Sequence, residues 1–360
     1  MTVILTTTGT SLLTNARNLL GKPPATITKE ELVQYMATTP PSEATAETNS
    51  LFKIAQPSDE IVFLYTTTPE GQKCAEILET YFKNRNWSVR SLQLPIEYDE
   101  VKFERKGLRE LVDILIEEII NAQRQGKQVI INATGGFKAE IAYTTMVGMI
   151  FQVPVKYIYQ QFKQPIAFPV LPITWDTDLM LTYEHFFEWI DSQPHHYSTV
   201  EKRLNNIADR DKVSAFLLPP DTEGYIYLSP AGDILWQRVR QQRSCAEQVA
   251  DPESSDNPEF DKVSHSLRSV KHHYPKYTLE LAEKIATIAV VEEITGGFFE
   301  NTTYSRLKGV SEDGVVRLLW ADGEKATNLN IRTTARGIIQ TLRVRDLMIR
   351  PVFEDFCKRK

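Results

Sequence analysis

Apolar and polar positions alternate between two periods along the first half of the chain. Strand candidates, most of them short apolar runs, are Val3–Leu5, Ile61–Tyr65, Ser88–Leu94, Val129–Asn132 and Val155–Tyr159. Between them, apolar residues recur at helical spacing and predict helices over Thr28–Tyr35, Pro69–Asn84, Arg105–Arg124 and Lys138–Phe151. Thr68-Pro69 is a natural cap and first-turn pair for the second of these helices. Strands alternating with helices predict a parallel sheet. An extended, proline-punctuated segment, Phe168–Trp175, follows.

Beyond it the rhythm changes. Leu181–Asp191, Ser198–Asn206 and Asp209–Leu217 read as three short helices, and Tyr225–Val239 as a strand, a turn and a helix. This order is similar to a winged helix-turn-helix, a fold that often binds DNA. Glu201, Asp209 and Asp211 lie beside Lys202, Arg203, Arg210 and Lys212. That balance suits phosphate binding poorly, and a structural or dimer-coupling module is favoured over a DNA reader. Gln241–Glu259 is polar and acidic with prolines and serines, and reads as a linker. Next come two amphipathic helices, Asp261–His273 and Thr278–Ile294, then strands at Val315–Trp320, Asn328–Thr333 and Gly337–Arg343. The expected organisation is an α/β domain at 1–178, a middle domain at 179–243, a linker at 244–259 and an α+β domain at 260–360.

Two turns carry the candidate chemistry of the first domain. The first strand runs into T-T-T-G-T-S-L-L, and Val129-Ile130-Ile131 runs into N-A-T-G-G-F-K. In an open parallel sheet such turns lie at the strand carboxyl ends, where ligands bind. Small residues let the backbone approach a phosphate, and a following helix N-terminus favours negative charge. The candidate binding residues are Thr8, Gly9, Thr10, Ser11, Thr67, Asn132, Thr134, Gly135, Gly136 and Lys138. Thr67 belongs to a threonine triplet that can equally serve as a plain helix cap. The dinucleotide fingerprint G-x-G-x-x-G with its distant acid is absent.

T-G-T-S-L-L after a first strand, with N-A-T-G-G-F-K after a late one, resembles the CRISPR-associated Rossmann fold (CARF) sensor domains, over about residues 1–175. The resemblance implies a homodimer that binds a cyclic oligoadenylate made during type III CRISPR immunity. The even symmetry of a two-fold dimer matches a cyclic tetra-adenylate as allosteric activator. Ring size stays open, as does cleavage of the ligand by the sensor itself.

Charge and composition sharpen the picture at the other end. Residues 301–360 hold 12 Lys and Arg against 7 Asp and Glu, while the whole chain carries −6. A basic end on an acidic body suits a polyanion. Lys308, Arg317, Lys325, Arg332, Arg336, Arg343 and Arg345 punctuate the expected strands, where alternation puts every second residue on one face. Such cations can stabilise the charge of a phosphoryl-transfer transition state without a metal. The run Leu307–Gly309, Gly314–Trp320 and Thr341–Leu347 resembles the RelE family of mRNA-cleaving toxins. That resemblance implies a metal-independent endoribonuclease acting on mRNA, often at the ribosome, with Lys308, Arg317, Lys325, Arg336 and Arg343 as the catalytic set. A late tyrosine found in some members has no match here, and Tyr304 is the nearest substitute. Two alternatives remain. Arg268 and His273 fit the R-x4-H pattern of an all-helical HEPN ribonuclease. A ligand-controlled transcription regulator would instead use residues 180–243 on DNA.

Three scattered cysteines, Cys74, Cys245 and Cys357, form no metal spacing or disulfide framework. No resident cofactor or metal is expected. No apolar run approaches the roughly 18 residues that span a bilayer, and Met1-Thr2-Val3 lacks a basic leader. A cytoplasmic, reducing setting without membrane contact is the expectation.

Overall fold

A computed structural model describes residues 1–95, 103–159, 161–171, 177–269 and 273–360. The chain divides into two compact units. The first comprises residues 1–174 with 228–234, and the second 175–227 with 235–360.

The first unit is built on a six-stranded sheet of order β3-β2-β1-β4-β5-β6. Its strands are β1 (Thr2–Thr7), β2 (Glu60–Thr66), β3 (Ser88–Leu94), β4 (Gln128–Asn132), β5 (Val155–Tyr157) and β6 (Ile166–Phe168). β1 to β5 are parallel, and β6 returns antiparallel along β5. The helices are α1 (Ser11–Leu20), α2 (Lys29–Thr38), α3 (Pro41–Ala44), α4 (Ala46–Ile54), α5 (Pro69–Lys83), α6 (Leu108–Arg124) and α7 (Lys138–Ile150). Val3, Ile4, Leu5 and Ile61 to Leu64 are all buried, because helices cover both sheet faces. On one face Ile4, Ile61 and Phe63 pack with Leu12, Leu32, Leu78 and Phe82. α6 buries Leu108, Leu111, Val112, Leu115 and Ile119 in a single stripe. The strand order reverses between β1 and β4, which creates a crevice at their carboxyl ends.

The five strands expected from the apolar runs are present, although β5 ends at Tyr157. Helices α3 and α4 interrupt a stretch without an expected element. Residues 172–175 of the extended segment lie outside the described residues.

In the second unit, α8 (Asp178–Thr182), α9 (Glu184–Ser192), α10 (Tyr197–Leu204) and α11 (Arg210–Ser214) precede α12 (Pro230–Gln248), whose residues up to 234 group with the first unit. A two-residue ribbon pairs β7 (His195–His196) with β8 (Tyr225–Ile226). Then come α13 (Glu259–Lys262), α14 (His265–Ser269) and α15 (Thr278–Ala286). An antiparallel sheet of order β10-β11-β12-β9 follows, with β9 (Val291–Glu300), β10 (Arg306–Val310), β11 (Val315–Ala321) and β12 (Ala326–Thr333). The chain ends in α16 (Gly337–Arg343), a π-turn at Val344–Ile349 and α17 (Arg350–Arg359).

Two sequence expectations fail here. Thr278–Ile294 is not one helix: the helix stops at Ala286, and the β-branched pair Val290-Val291 leads into β9. Gly337–Arg343 is helix rather than strand. Gly337 sits at φ +75°, which ends the extended backbone after β12. The buried residues Leu342, Ile349, Phe353 and Phe356 then recur at helical spacing. Of the expected Asp261–His273 helix, only the short α13 and α14 lie in the described part, and residues 270–272 fall outside it.

Candidate functional site

β1 and β4 are direct neighbours, with Thr6 opposite Asn132, so the turns after them meet. The hydroxyl of Thr7 donates to the carbonyl of Gly135 at 2.5 Å. A Cβ on Gly9 would stand 3.0 Å from the Gly136 nitrogen. One on Gly135 would stand 2.8 Å from the Thr7 carbonyl and collide with Glu47 Oε1. Gly136 adopts φ +98°, and its Cβ would collide with Glu140. Glycine is required here by the crossing of two backbones above two carboxylates.

Glu47 and Glu140 were not among the residues singled out from sequence. Glu47, in the first turn of α4, is fully buried. Its Oε1 accepts the Gly9 N–H at 2.9 Å, and its Oε2 accepts the Ser11 hydroxyl at 2.9 Å. The Ser11 oxygen accepts the Ala46 N–H at 3.0 Å. Burial pushes the Glu47 carboxyl above the usual carboxylate range, against the pull of those two donors. Glu140 stands third in α7 and accepts the Phe137 N–H at 2.9 Å with Oε2. Its Oε1 is buried without a partner among the described residues, and burial pushes the group up to about 7. A sequence signal existed for Glu47. Glu47-Thr48-Asn49-Ser50 is a polar run that no solvent-facing helix stripe explains, and all four residues are buried.

The other expected binding residues divide. Asn132 donates to Ser50 Oγ at 2.8 Å and accepts from the Thr134 hydroxyl at 2.7 Å, while Thr134 Oγ1 accepts the Ile158 N–H at 3.2 Å. Ser11 and Thr134 line a pocket of about 220 Å³ together with Asn15, Asn49, Tyr157 and Tyr159. Thr10 caps α1 without a side-chain bond, which leaves that helix start to other partners. Thr8 is buried, its N–H donating to Leu64 O at 2.8 Å. Lys138 is exposed at the start of α7. Thr67 is exposed at the end of β2, on the side of β1 away from β4, and does not line the pocket. Phosphate contact through the Gly9 N–H, expected from the glycine turn, meets an obstacle: Glu47 already holds that donor.

In the second unit the basic residues separate into different settings. Register places Arg317 beside Asn330 and Arg306 beside Leu319, so Arg306, Lys308, Arg317, Asn328, Asn330 and Arg332 share one sheet face. The opposite face carries Val316, Leu318, Trp320, Leu329 and Ile331 in the core, with Trp320 edge-on to Phe356 at 5.2 Å. Lys308 Nζ donates to Glu300 at 2.8 Å and to Asn328 at 3.2 Å. Arg317 reaches Asp178 at 3.1 Å. Lys325 is exposed in the β11–β12 turn. Arg336 caps α16 and donates to the carbonyls of Thr333 and Ala335. Arg343 lies in α16, ion-paired with Asp251 and donating to the carbonyls of Ala246 and Glu247. Arg343 and Arg345 therefore share no strand face. Arg345 is fully buried against Glu184 and Asp346. Arg268 donates to Glu283 and to the Phe260 carbonyl and lies over the Phe260 ring. Among the described residues, no group of three or more His, Cys, Asp or Glu is placed to hold a metal ion, and no helix is long and apolar enough to cross a membrane.

Residues 42–171, which carry α4, β4 and the second glycine turn, match the family described as CRISPR-associated protein (Cas_APE2256). This stretch is similar to a CRISPR-associated family. The match covers just over a third of the chain and lies within the first unit. Csm6 from Enterococcus italicus, bound to cyclic hexa-2'-fluoro-hexa-dAMP, is similar at 9% identity over 69% of this chain, with a TM-score of 0.27. The chain spans 46% of the length of that Csm6. Can2 from Sulfobacillus thermosulfidooxidans, in complex with cyclic tetra-adenylate, is 12% identical over 89% of this chain and 77% of its own, with a TM-score of 0.26. Protein VC1899 from Vibrio cholerae is 9% identical over 92% of this chain and 77% of its own, also with a TM-score of 0.26.

Proposed function

We propose that the chain is a CRISPR-associated sensor and effector. Its first unit binds a cyclic oligoadenylate, taken as the tetra-adenylate, across a homodimer. Its second unit is a RelE-like, metal-independent endoribonuclease that cuts mRNA at the ribosome. The observation that carries the first half is the meeting of the two glycine turns at the reversal of strand order, the second of them inside the stretch that matches a CRISPR-associated family. Beside that junction, Ser11, Asn15, Asn49 and Thr134 offer hydrogen-bonding side chains, and Tyr157 and Tyr159 offer ring faces for a base. At about 220 Å³ the pocket suits one portion of a ring, which supports a site shared between two copies.

The second half is supported by the polar sheet face. Lys308 and Arg317 stand on neighbouring strands with Arg306 and Arg332 on the same side. In the proposed reaction a 2′-hydroxyl attacks its own phosphate, the Lys308 amine handles a proton, and Arg317 holds the charge that grows on the phosphoryl oxygens. Asp178 and Glu300 occupy these cations now, and RNA would have to take their place. Arg336 and Arg343 are assigned holding roles, because their donors face carbonyls and Asp251.

The test is RNA cleavage by the purified protein with each cyclic oligoadenylate, with and without ribosomes. The expected outcome is cutting that depends on the ligand, leaving a 2′,3′-cyclic phosphate or 3′-phosphate and a 5′-hydroxyl. Products with a 5′-phosphate would contradict the RelE-like chemistry.

A further inference from the structure

Glu47 is a carboxylate with no place in a simple anion receptor. It is fully buried, and among the described residues no cation pairs with it. It lies one hydrogen bond behind the pocket wall, through Ser11. The charged or titratable groups around it give no relief. Cys74 on α5 is buried, and the Glu47 charge helps push its thiol up to about 12. Glu140 on α7 lies against Gly136, next to the Gly135 that touches Glu47. Glu43 on α3 borders the pocket. Lys53, one helical turn and a half along α4, is engaged by Asn49 at 2.7 Å.

The hydrogen inventory of Ser11 then decides what the pocket can offer. Its oxygen accepts the Ala46 N–H, and its one hydroxyl hydrogen goes to Glu47 Oε2 while that oxygen is unprotonated. With a proton on Oε2 the direction reverses. Glu47 donates to Ser11, both acceptor positions of Ser11 are filled, and its own hydrogen is free to turn into the pocket. We propose that Glu47 takes up one proton from solvent when a phosphodiester ligand binds, and that this switches Ser11 from donating to Glu47 to donating to the ligand. Glu47 is thus a positioning residue that ties recognition of an anion to its own neutralisation. Repulsion between a buried carboxylate and an incoming phosphate drives the same uptake, and burial already favours the neutral acid. The inference rests on the reading of the first unit as a cyclic oligoadenylate receptor.

The experiment is calorimetric titration with cyclic tetra-adenylate between pH 5.5 and 8.5, repeated at each pH in two buffers of different ionisation enthalpy. The wild-type protein is expected to take up protons on binding, approaching one per Glu47. Its affinity should fall with rising pH by up to about tenfold per pH unit for each Glu47, so about a hundredfold for a ring shared by two chains, over the range where Glu47 is ionised in the free protein and protonated in the complex. In Glu47→Gln the amide donates permanently to Ser11, so uptake disappears and affinity stays near its low-pH value. Ser11→Ala provides an independent check, since uptake there should fall with affinity. Binding without proton uptake, or uptake that persists unchanged in Glu47→Gln, overturns the role of Glu47, and uptake unchanged in Ser11→Ala overturns the switch through Ser11; either result leaves the receptor reading standing. No binding of cyclic tetra-adenylate or cyclic hexa-adenylate at any pH overturns the receptor reading, and this inference with it.

Discussion

The glycine-turn junction of the first unit and the basic residues of the second unit reached the structure by different routes. At the junction, residues far apart in sequence meet because each turn ends a strand and the two strands are neighbours. In the second unit, seven cations spaced along the sequence end in a sheet face, a hairpin turn, a helix cap, a helix paired with Asp251 and a buried ion-pair cluster. A strand followed by a small-residue turn is a backbone instruction, and the backbone obeys it locally. A cation carries no such instruction, because its role is fixed by whichever carboxylate or carbonyl the fold brings to it.

The strongest way to sharpen this contrast is at Arg345, which the sequence pattern grouped with RNA-facing cations. Its guanidinium is fully buried against Glu184 and Asp346 and donates to the carbonyls of Leu181 and Lys308; Arg243 and Arg350 also pair with both carboxylates, so Arg345→Ala empties a buried site and strips those two carbonyls of their donor. Destabilisation of about 3–5 kcal/mol, from the cavity and the unsatisfied carbonyls together, is expected from urea denaturation midpoints. A loss below about 1 kcal/mol would mean that the cluster is not a structural core.

Arg317 is the counterpart on the polar sheet face. Arg317→Ala is expected to lower ligand-activated cleavage by about 10²–10³-fold. Arg343→Ala should change the rate little and act on stability instead, because its donors serve Asp251 and two carbonyls. Equal loss of rate in both variants would erase the distinction drawn between them.

Beneath the glycine turns, Glu140 gives a pH signature. Its folded pKa of about 7 lies above the ordinary 4.5, so the fold favours the neutral acid. Its contribution to stability is complete below about 4.5 and is lost as pH rises through about 7. The effect is on the order of 2–3 kcal/mol between pH 5 and 8. Glu140→Gln should flatten that part of the stability profile, and an unchanged slope would assign the titration to another group.

The smallest expected effect is at Lys138, exposed at the start of α7. Lys138→Ala should weaken cyclic tetra-adenylate binding by about 1.5 kcal/mol, roughly tenfold in Kd. An unchanged isotherm would remove Lys138 from the site.

Much of the first unit was legible because β1 and β2 are buried on both faces and therefore read as unbroken apolar runs. The turns Thr7–Ser11 and Asn132–Lys138 were legible for the same reason. Their support was not. Glu47 and Glu140 lie under the turns through helix placement, and sequence spacing says nothing about which helix start reaches a neighbouring loop. In the second unit, Ile338 and Ile339 gave Gly337–Arg343 a strand-like composition. The positive φ of Gly337 and the burial spacing of Leu342, Ile349 and Phe353 outweighed it.

The central claim is that the glycine turns of two copies build one receptor for a cyclic oligoadenylate, and the stoichiometry of binding tests it most directly. Calorimetric titration of the intact protein with cyclic tetra-adenylate should give a saturable isotherm with one ring bound per two chains. An isotherm with one ring per chain, or no heat of binding at any concentration, would contradict it.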